Sequence, residues 1–118
     1  MQQNKIQIGI KGESIAVDYL TKLKYKIMQR NYRCHFGEID IIAYKDLTYI
    51  FVEVKTRRSL TFGRPIEAIN YKKRNHIQKV AQYYIQSSKI QSSRFRFDAI
   101  EVILSPEIQI NHIKNIFF

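Results

Sequence analysis

The chain has 118 residues, of which 45% are hydrophobic and 13% aromatic. That length and composition predict one globular domain spanning residues 1–118 and exclude an intrinsically disordered chain. Twenty Lys and Arg residues against ten Asp and Glu give a formal net charge of +10, which is typical of a protein that binds nucleic acid, with simple solubility as the alternative.

The first predicted element is an amphipathic helix over residues 5–24, because its apolar residues recur at close to helical spacing. They are Ile6, Ile10, Ile15, Ala16, Tyr19, Leu20 and Leu23. Glu13 precedes Ala16 by three residues and Leu20 by seven, so its side chain should lie on or beside the inward face of the helix. A carboxylate there can reach a metal at the sheet, or it can lie at the margin of a solvated face.

Three strands are predicted next, over residues 26–33, 38–44 and 48–56, and the last two are rich in β-branched and aromatic residues. Residues 45–47 leave room only for a short turn, so 38–44 and 48–56 should form an antiparallel hairpin. Apolar side chains occur on both faces of these strands, which indicates a sheet that is covered on both sides.

The second half of the chain predicts a loop over residues 57–64, a short helical turn at Pro65 and a second helix capped by Asn70. The buried stripe of that helix is expected at Ile77, Val80, Ala81, Tyr84 and Ile85. A strand over residues 94–104 and an edge strand over 108–116 complete the chain. The order α-β-β-β-α-β predicts an α/β fold with three layers, in which helices flank a mixed β-sheet.

No predicted segment belongs in a membrane, because no stretch approaches the ~20 apolar residues of a spanning helix. Lys and Gly interrupt the N-terminal residues before an apolar signal segment can form. The single cysteine, Cys34, excludes an internal disulfide and favours a reducing compartment. We therefore expect a cytoplasmic protein without membrane contact.

The central chemical feature is the pair Glu53 and Lys55, which flank a valine near the end of the third predicted strand. Strand alternation puts both side chains on one face, about 6.5–7 Å apart. If Tyr44 pairs with Tyr49 across the turn, the antiparallel register brings Asp40 opposite Glu53, with Cβ atoms ~5 Å apart. The sequence thus predicts two neighbouring carboxylates and a lysine at one end of the hairpin.

Two carboxylates at that spacing repel each other unless a cation lies between them. Mg²⁺ or Mn²⁺ prefers such oxygen ligands and retains waters, so Asp40 and Glu53 would form an incomplete shell with room for a phosphate. Lys55 can then steady the attacking water or stabilise the charged pentavalent phosphorus. The alternative is a structural ion pair of Lys55 with Glu53 or with Asp40.

Other polar residues are weaker candidates. Glu38 shares strand parity with Asp40 and is interpreted as an outer group of the site or a partner for an arginine. Asp98 lies among Arg94, Arg96 and aromatic residues, which favours a structural salt bridge. The histidines lack the spacing of metal ligands and are expected to be on the surface or partly buried; they are His35, His76 and His112.

These residues lie in blocks that resemble one known family. The blocks follow in order over nearly the whole chain: Gly12-Glu13 with Ala16 and Tyr19-Leu20, then RNYR at 30–33, GEIDIIA at 37–43, FVEVKTR at 51–57 and RFD at 96–98. In combination they resemble the YraN family, which is largely uncharacterised, is grouped with the restriction-endonuclease-like fold and resembles archaeal Holliday-junction resolvases. One departure is Tyr71, where relatives often carry a proline at the start of the second helix.

The resemblance implies a nuclease site in which Asp40, Glu53 and Lys55 are catalytic and Glu13 is an additional acid carried by a helix. Mg²⁺ or Mn²⁺ is the cofactor expected at Glu13, Asp40 and Glu53. Lys73 falls where the family usually has a basic residue. It belongs to a set of basic residues that we expect to contact phosphates: Arg57, Arg58, Lys72, Lys73 and Arg74.

Two functions follow from this sequence. The first is a metal-dependent endodeoxyribonuclease that hydrolyses phosphodiester bonds in branched or damaged DNA, with RNA left open. The second is a non-catalytic module, in which the acids are retained for structure and the protein tethers nucleic acid or a repair partner. Symmetric substrates would suit a homodimer in either case.

Overall fold

The computed structural model describes residues 4–59, 71–91 and 93–117. Those residues form two helices and five strands: α1 Lys5–Lys22, β1 Lys26–Cys34, β2 Gly37–Lys45, β3 Thr48–Arg57, α2 Tyr71–Ser87, β4 Arg94–Ile103 and β5 Gln109–Ile113. The strands make one sheet in chain order, in which β3 and β4 are parallel and the other neighbours antiparallel. The predicted α/β class and element order are confirmed, and β5 is an edge strand of the sheet, with β1 at the other edge.

Helix α1 begins at a capping box formed by Asn4 and Gln7. The Asn4 side chain accepts a 2.9 Å hydrogen bond from the Gln7 backbone, and the Gln7 side chain accepts a 3.2 Å hydrogen bond from the Asn4 backbone. Its buried residues recur every fourth position and are Ile8, Gly12, Ala16 and Leu20. Ile6 and Ile10 belong to the predicted apolar stripe, yet they are 75% and 61% exposed. The reason is helix phase: residues two apart are about 200° apart around the helix, so Ile6 and Ile10 lie opposite the buried Ile8 and line an open cleft.

Gly12 sets the closest approach between α1 and the sheet. A Cβ atom at this position would lie 1.8 Å from Thr56 Oγ1, so only glycine lets the helix lie this close to β3. This contact brings Glu13, the next residue, beside the end of the strand that carries the predicted site.

The sheet has a hydrophobic cluster on each face, as predicted. One cluster packs beneath α1 and includes Leu20, Ile41 and Val52. The other packs beneath α2 and includes Ile42 and Phe51. The predicted stripe of α2 is confirmed, since Ile77, Val80, Ala81 and Tyr84 are buried and Ile85 packs at the margin.

The predictions for Pro65 and Asn70 lie outside the described residues. Neither described helix is long and apolar enough to cross a membrane.

The regular alternation of β2 is interrupted at Asp40. Ile39 packs beneath α2 whereas Ile41 packs beneath α1, although residues two apart in a strand normally share a face. The pairing of β1 with β2 passes from Arg30–Ile41 to Tyr32–Ile39, and the intervening Asn31 has a φ of 52°. Irregular strand positions of this kind re-aim side chains and recur beside functional sites.

Candidate active site

The hairpin of β2 and β3 has the predicted register. Tyr44 pairs with Tyr49, and the ladder continues as far as Ile41–Val52. Asp40 and Glu53 are the next positions on the two strands, so they lie where the ladder ends. The backbone N–H of Val54 donates a 2.7 Å hydrogen bond to Asp40 Oδ2, which holds the carboxyl group of Asp40 against β3.

The carboxyl group of Asp40 lies in an environment that disfavours its charge. Burial is the main cause and the negative charge of Glu53 the next, and together they raise the pKa of Asp40 from 3.8 to about 7. Glu13 adds a smaller contribution of the same sign, while the Val54 hydrogen bond and Lys73 act in the opposite direction. A carboxyl group in this state gains from any cation that approaches it.

Glu53, by contrast, is neutralised by the protein itself. Its carboxylate is 8% exposed and lies 2.8 Å from Lys73 Nζ and 3.5 Å from Lys55 Nζ. The structural pair of Lys55 with Glu53, which the sequence left open, therefore forms. Helix α2 supplies the closer of the two lysines.

The two lysines affect each other. Burial and the neighbouring Lys73 lower the pKa of Lys55. Burial also acts to lower the pKa of Lys73, but its hydrogen bonds with Glu53 and Lys55 outweigh that and raise it. Lys55 is thus the more easily deprotonated of the pair, which suits a group that handles a proton or a developing negative charge.

Glu13 faces inward, as helix phase predicted, with a side chain that is 12% exposed. Its Oε1 accepts a 2.8 Å hydrogen bond from the Asn31 side chain and lies 3.5 Å from Arg30 Nε. It is close enough to affect the pKa of Asp40. In this arrangement, however, β1 rather than Asp40 and Glu53 supplies its partners.

An open cleft of about 1340 Å³ lies between the N-terminal half of α1 and the ends of the strands. Glu13, Glu38, Asp40, Arg57 and Arg58 are among its lining residues. Asp40 therefore connects two zones. The cleft lies on its α1 side, and the cluster of Glu53, Lys55 and Lys73 lies on its α2 side.

These acids fit a hard divalent cation by chemistry but do not form a closed cage. Within the described ranges, no three Asp, Glu, His or Cys side chains lie close enough together to hold a metal ion. Asp40 and Glu53 offer the carboxylate oxygens that Mg²⁺ or Mn²⁺ prefers, and a cation there would favour the charged form of Asp40. To join them as a third ligand, Glu13 would have to leave Asn31.

The predicted phosphate-binding residues have different surroundings. Arg57 and Arg58 are exposed and line the cleft. Arg74 donates a 3.3 Å hydrogen bond to the Phe117 carbonyl and lies 4.8 Å from the centre of that ring. The side chain of Lys72 lies outside the described residues. Of this set, Arg57 and Arg58 have the position that a phosphate contact at the cleft needs.

The weaker candidates occupy peripheral or structural positions. Glu38 pairs with Arg33 at 2.9 Å, which agrees with its interpretation as a partner for an arginine. Asp98 is held by Nε and Nη2 of Arg96 at 2.9 Å each, so the structural salt bridge is confirmed. His112 is partly buried, as expected, and its Nε2 lies 2.7 Å from Asp98.

Sequence reasoning missed the contact between Lys73 and Glu53, although one signal pointed to it. Lys73 precedes Ile77, the first buried residue of α2, by four positions, and residues four apart share a helix face. The pairing of Asn31 with Glu13 had no comparable signal, because it depends on the left-handed backbone at Asn31.

Comparison with known proteins identifies the family to which the chain is similar but assigns no activity to that family. The profile of the uncharacterised protein family UPF0102 matches residues 12–102. A UPF0102 protein of Caldicellulosiruptor saccharolyticus is 48% identical over 117 residues, which cover 97% of this chain and 99% of the relative. A UPF0102 protein of Clostridium botulinum is 51% identical over 115 residues, 93% of each chain.

Proposed function

The chain belongs to the uncharacterised protein family UPF0102, the YraN family that its motifs resemble, and we propose that it is a divalent-metal-dependent nuclease acting on branched or damaged DNA. The observation that carries the proposal is the partial burial of Asp40 beside the carboxylate of Glu53, which together raise the pKa of Asp40 to about 7. Neighbouring carboxyl groups that disfavour each other's charge are typical of sites that bind a divalent cation.

In the proposed complex Asp40 and Glu53 would hold the metal, and Glu13 would be a third ligand if it left its hydrogen bond with Asn31. When bound, Mg²⁺ or Mn²⁺ supplies Lewis-acid stabilisation of the phosphate and lowers the pKa of a bound water. The reaction joins a water oxygen to phosphorus and breaks the bond from phosphorus to one sugar oxygen, so the products are a phosphate end and a hydroxyl end.

Lys55 is the residue that we assign to the charged phosphorus. Its ammonium lies 3.5 Å from Glu53 Oε1, and burial lowers its pKa, so it can donate a hydrogen bond to the nucleophile or to the developing charge. Lys73 keeps Glu53 neutralised until the metal takes its place, because its Nζ lies 2.8 Å from the same oxygen.

The path of the substrate is proposed along the cleft. Arg57 and Arg58 line it beside Asp40, and the formal net charge of +10 attracts a polyanion. These contacts go to phosphates, which carry no sequence information, so the affinity should be independent of sequence.

A specific observation also favours the tethering alternative. Lys55 and Lys73 both lie within 3.5 Å of Glu53, so this acid is neutralised without any metal. In that case the cluster stabilises the packing of α2 on the sheet, and the positive charge alone binds nucleic acid.

A cleavage assay separates the two functions. The purified chain is incubated with labelled branched DNA, blunt duplex DNA and structured RNA, in Mn²⁺ or in a chelator. A nuclease cuts at least one of these substrates in Mn²⁺ alone. Glu53→Ala and Lys55→Ala should each reduce the rate by about 10²–10³, the usual effect of removing one group that stabilises the transition state. Lys22→Ala, an exposed lysine paired with Asp18 on α1, is the matched control.

Binding measured beside cleavage makes the outcome decisive. Glu53→Ala should keep or raise the affinity for DNA in chelator, because a negative charge leaves the phosphate path. Arg57→Ala and Arg58→Ala should lower that affinity and make its salt dependence shallower, by about 0.9 in the log–log slope for each duplex phosphate that is no longer neutralised. If the wild-type protein binds branched DNA but cuts none of the substrates in Mn²⁺, the tethering function replaces the nuclease.

A further inference from the structure

A second surface, outside the candidate active site, exposes aromatic rings on a strongly basic protein. His35 and Phe36 form the turn between β1 and β2, and Tyr83 of α2 lies beside them. Phe36 is 41% exposed and Tyr83 is 38% exposed. We call these three residues the aromatic platform.

The rings of the platform form a corner rather than a closed stack. The centroids of His35 and Phe36 are 4.1 Å apart, and those of His35 and Tyr83 are 5.3 Å apart. The planes of Phe36 and Tyr83 meet at 67° with centroids 6.3 Å apart. A flat ring that stacks on Phe36 or on Tyr83 is therefore steeply inclined to the other of these two rings, and steeply inclined aromatic rings pack favourably edge to face.

A shallow pocket of about 270 Å³ opens at this corner, lined by Phe36, Lys79, Gln82, Tyr83 and Gln86. These lining residues comprise two aromatic rings, two amides and one lysine, and they include no carboxylate. The combination offers a stacking surface, donors and acceptors for the edge of a base, and a positive charge for a phosphate.

We propose that the aromatic platform binds an unpaired nucleobase of the nucleic acid whose backbone lies in the cleft. Stacking on aromatic rings is the general way in which proteins hold unpaired bases, and each base has a face for it. The partner is therefore single-stranded or frayed nucleic acid adjoining a duplex. This inference rests on the proposed function for the placement of the backbone but not for any chemistry.

Position along the fold supports the proposal. The turn that carries Phe36 ends at Gly37, three residues before Asp40 in β2, which is about 10 Å along a strand. Tyr83 follows Lys73 by ten residues in α2, which is about 15 Å along a helix. Arg33 and Glu38, which lie beside the turn between β1 and β2, line the cleft. A strand that leaves the cleft can therefore reach the platform within a few nucleotides.

A protein partner fits this surface less well. The pocket is lined by five residues, which is few beside the ~20–30 residues per side of a stable protein interface. Charge also favours nucleic acid, because Lys79 lines the pocket and the chain carries a formal net charge of +10.

The test compares three DNA probes in chelator, so that binding is measured without cleavage. The probes are a blunt duplex, the same duplex with a single-stranded tail, and the same duplex with a tail of abasic sugar-phosphates. The tailed probes carry equal charge, so their difference reports the bases. We expect the wild-type protein to bind the base-containing tail most tightly.

Phe36→Ala and Tyr83→Ala should each lower the affinity for the base-containing tail by roughly 5- to 100-fold, the range for one base–aromatic stack. Both should leave the affinity for the blunt and abasic-tailed probes unchanged. Phe95→Ala is the matched control, since Phe95 is 42% exposed and lies outside the platform. The proposal is overturned if the abasic tail binds as well as the normal tail, or if Phe95→Ala has the same effect as Phe36→Ala.

A spectroscopic measurement covers the case in which an alanine variant is unfolded. The chain contains no tryptophan, so Phe36→Trp places a single indole on the platform. A base stacked there should quench its fluorescence with the base-containing tail and not with the abasic one, while Phe95→Trp should not respond. The proposal is contradicted if the base-containing tail does not quench the fluorescence of Phe36→Trp. It is also contradicted if the same quenching occurs without DNA because the protein self-associates.

The two proposals fail in different ways. If Mn²⁺ supports no cleavage but Phe36→Ala still weakens binding of the base-containing tail, the nuclease is wrong and the platform stands. If cleavage occurs and Phe36→Ala changes no affinity, the platform is wrong and the nuclease stands. If no nucleic acid binds at all, both are wrong.

Discussion

Two aspartates of the same sheet, Asp98 fully buried and Asp40 half-buried, have opposite electrostatic states. Asp98 on β4 accepts hydrogen bonds from Arg96 Nε and Nη2 at 2.9 Å each and from the Asn115 backbone at 3.1 Å, and it lies 2.7 Å from His112 Nε2. Burial alone would raise its pKa, but these hydrogen bonds bring it below the usual value. For Asp40, burial and the charge of Glu53 outweigh the Val54 backbone hydrogen bond and the charge of Lys73, and its pKa is raised to about 7.

This contrast indicates which of the two aspartates serves the fold itself. Asp98 is surrounded by donors, and His112 extends the network to the Tyr19 hydroxyl at 3.1 Å, so it joins β4, β5 and α1. Among the described residues, Asp40 accepts one hydrogen bond, from the Val54 backbone, and it borders an open cleft. A buried acid whose oxygens accept several hydrogen bonds stabilises the structure, whereas an acid with few donors around it is suited to binding a ligand.

Removing Asp98 from its hydrogen-bond network should have the largest effect on the free energy of unfolding. Asp98→Ala removes the fully buried partner of Arg96, whose guanidinium is partly buried and keeps its hydrogen bond to the Tyr25 hydroxyl. Removal of one member of a buried ion pair commonly costs about 3–5 kcal/mol of stability, and we expect a loss at the lower end of that range. Urea denaturation followed by circular dichroism measures the free energy of unfolding. A loss below about 1 kcal/mol would mean that solvent replaces the network and that the contrast with Asp40 is not real.

The next effect concerns metal affinity and pH. Because the pKa of Asp40 is about 7, Mn²⁺ must displace a proton from Asp40 below that pH. The apparent affinity should therefore fall by about tenfold per pH unit below pH 7 and become constant above it. Titration calorimetry at a series of pH values on both sides of that pKa measures this dependence. Affinity that is constant across the series would contradict the role of Asp40.

Stability should respond to pH in the opposite sense at the two aspartates. The folded-state pKa of Asp40 is raised, so the folded protein binds this proton more tightly than the unfolded chain does. Stability should then fall as the pH rises from about 4 to about 7. Asp98 has a lowered pKa, so its contribution is complete above its unfolded value and is lost only as the pH falls below it.

Asp40→Asn should remove the unfavourable part of this dependence. At pH 8 we expect the variant to be more stable than the wild-type protein by ~1 kcal/mol, or about 4 °C in Tm. Thermal melts at pH 5 and pH 8 should show that the gain is largest at the higher pH. A variant that is less stable at both values would show that Asp40 is a structural residue like Asp98.

A weaker effect is expected at Lys73, which competes with the metal for Glu53 at 2.8 Å. Lys73→Ala should raise the affinity for Mn²⁺ severalfold, because Glu53 loses a competing cation, while it lowers the affinity for DNA. Lys22→Ala again serves as the control on the surface of α1. Weaker Mn²⁺ binding by Lys73→Ala would mean that Lys73 positions Glu53 rather than competing for it.

The sequence predicted local structure well because local rules govern it. The short turn at residues 45–47 fixes the register of Tyr44 with Tyr49, and alternation then brings Asp40 near Glu53. Helix phase likewise places Glu13 inward. None of these features depends on distant parts of the chain.

The remaining features depend on contacts between distant elements. The hydrogen bond from Asn31 to Glu13 needs the irregular strand opposite Asp40, and the network of Asp98 needs β5 in its register beside β4. In the aromatic platform, the turn between β1 and β2 packs near Val80 of α2, and Gly37 supports this turn with a φ of 135° that other residues rarely adopt. The periodicity of the sequence does not predict such contacts between distant elements.

The decisive measurement for the metal site is a calorimetric titration of Mn²⁺ into the wild-type chain and into Asp40→Asn at pH 8. We expect one saturable site in the wild-type protein and none in the variant, with circular dichroism showing that both are folded. Asp98 supplies no site in either protein, because its donors already satisfy it. Equal binding by the two proteins, or no binding by either, would contradict the claim that Asp40 and Glu53 are held together for a divalent cation.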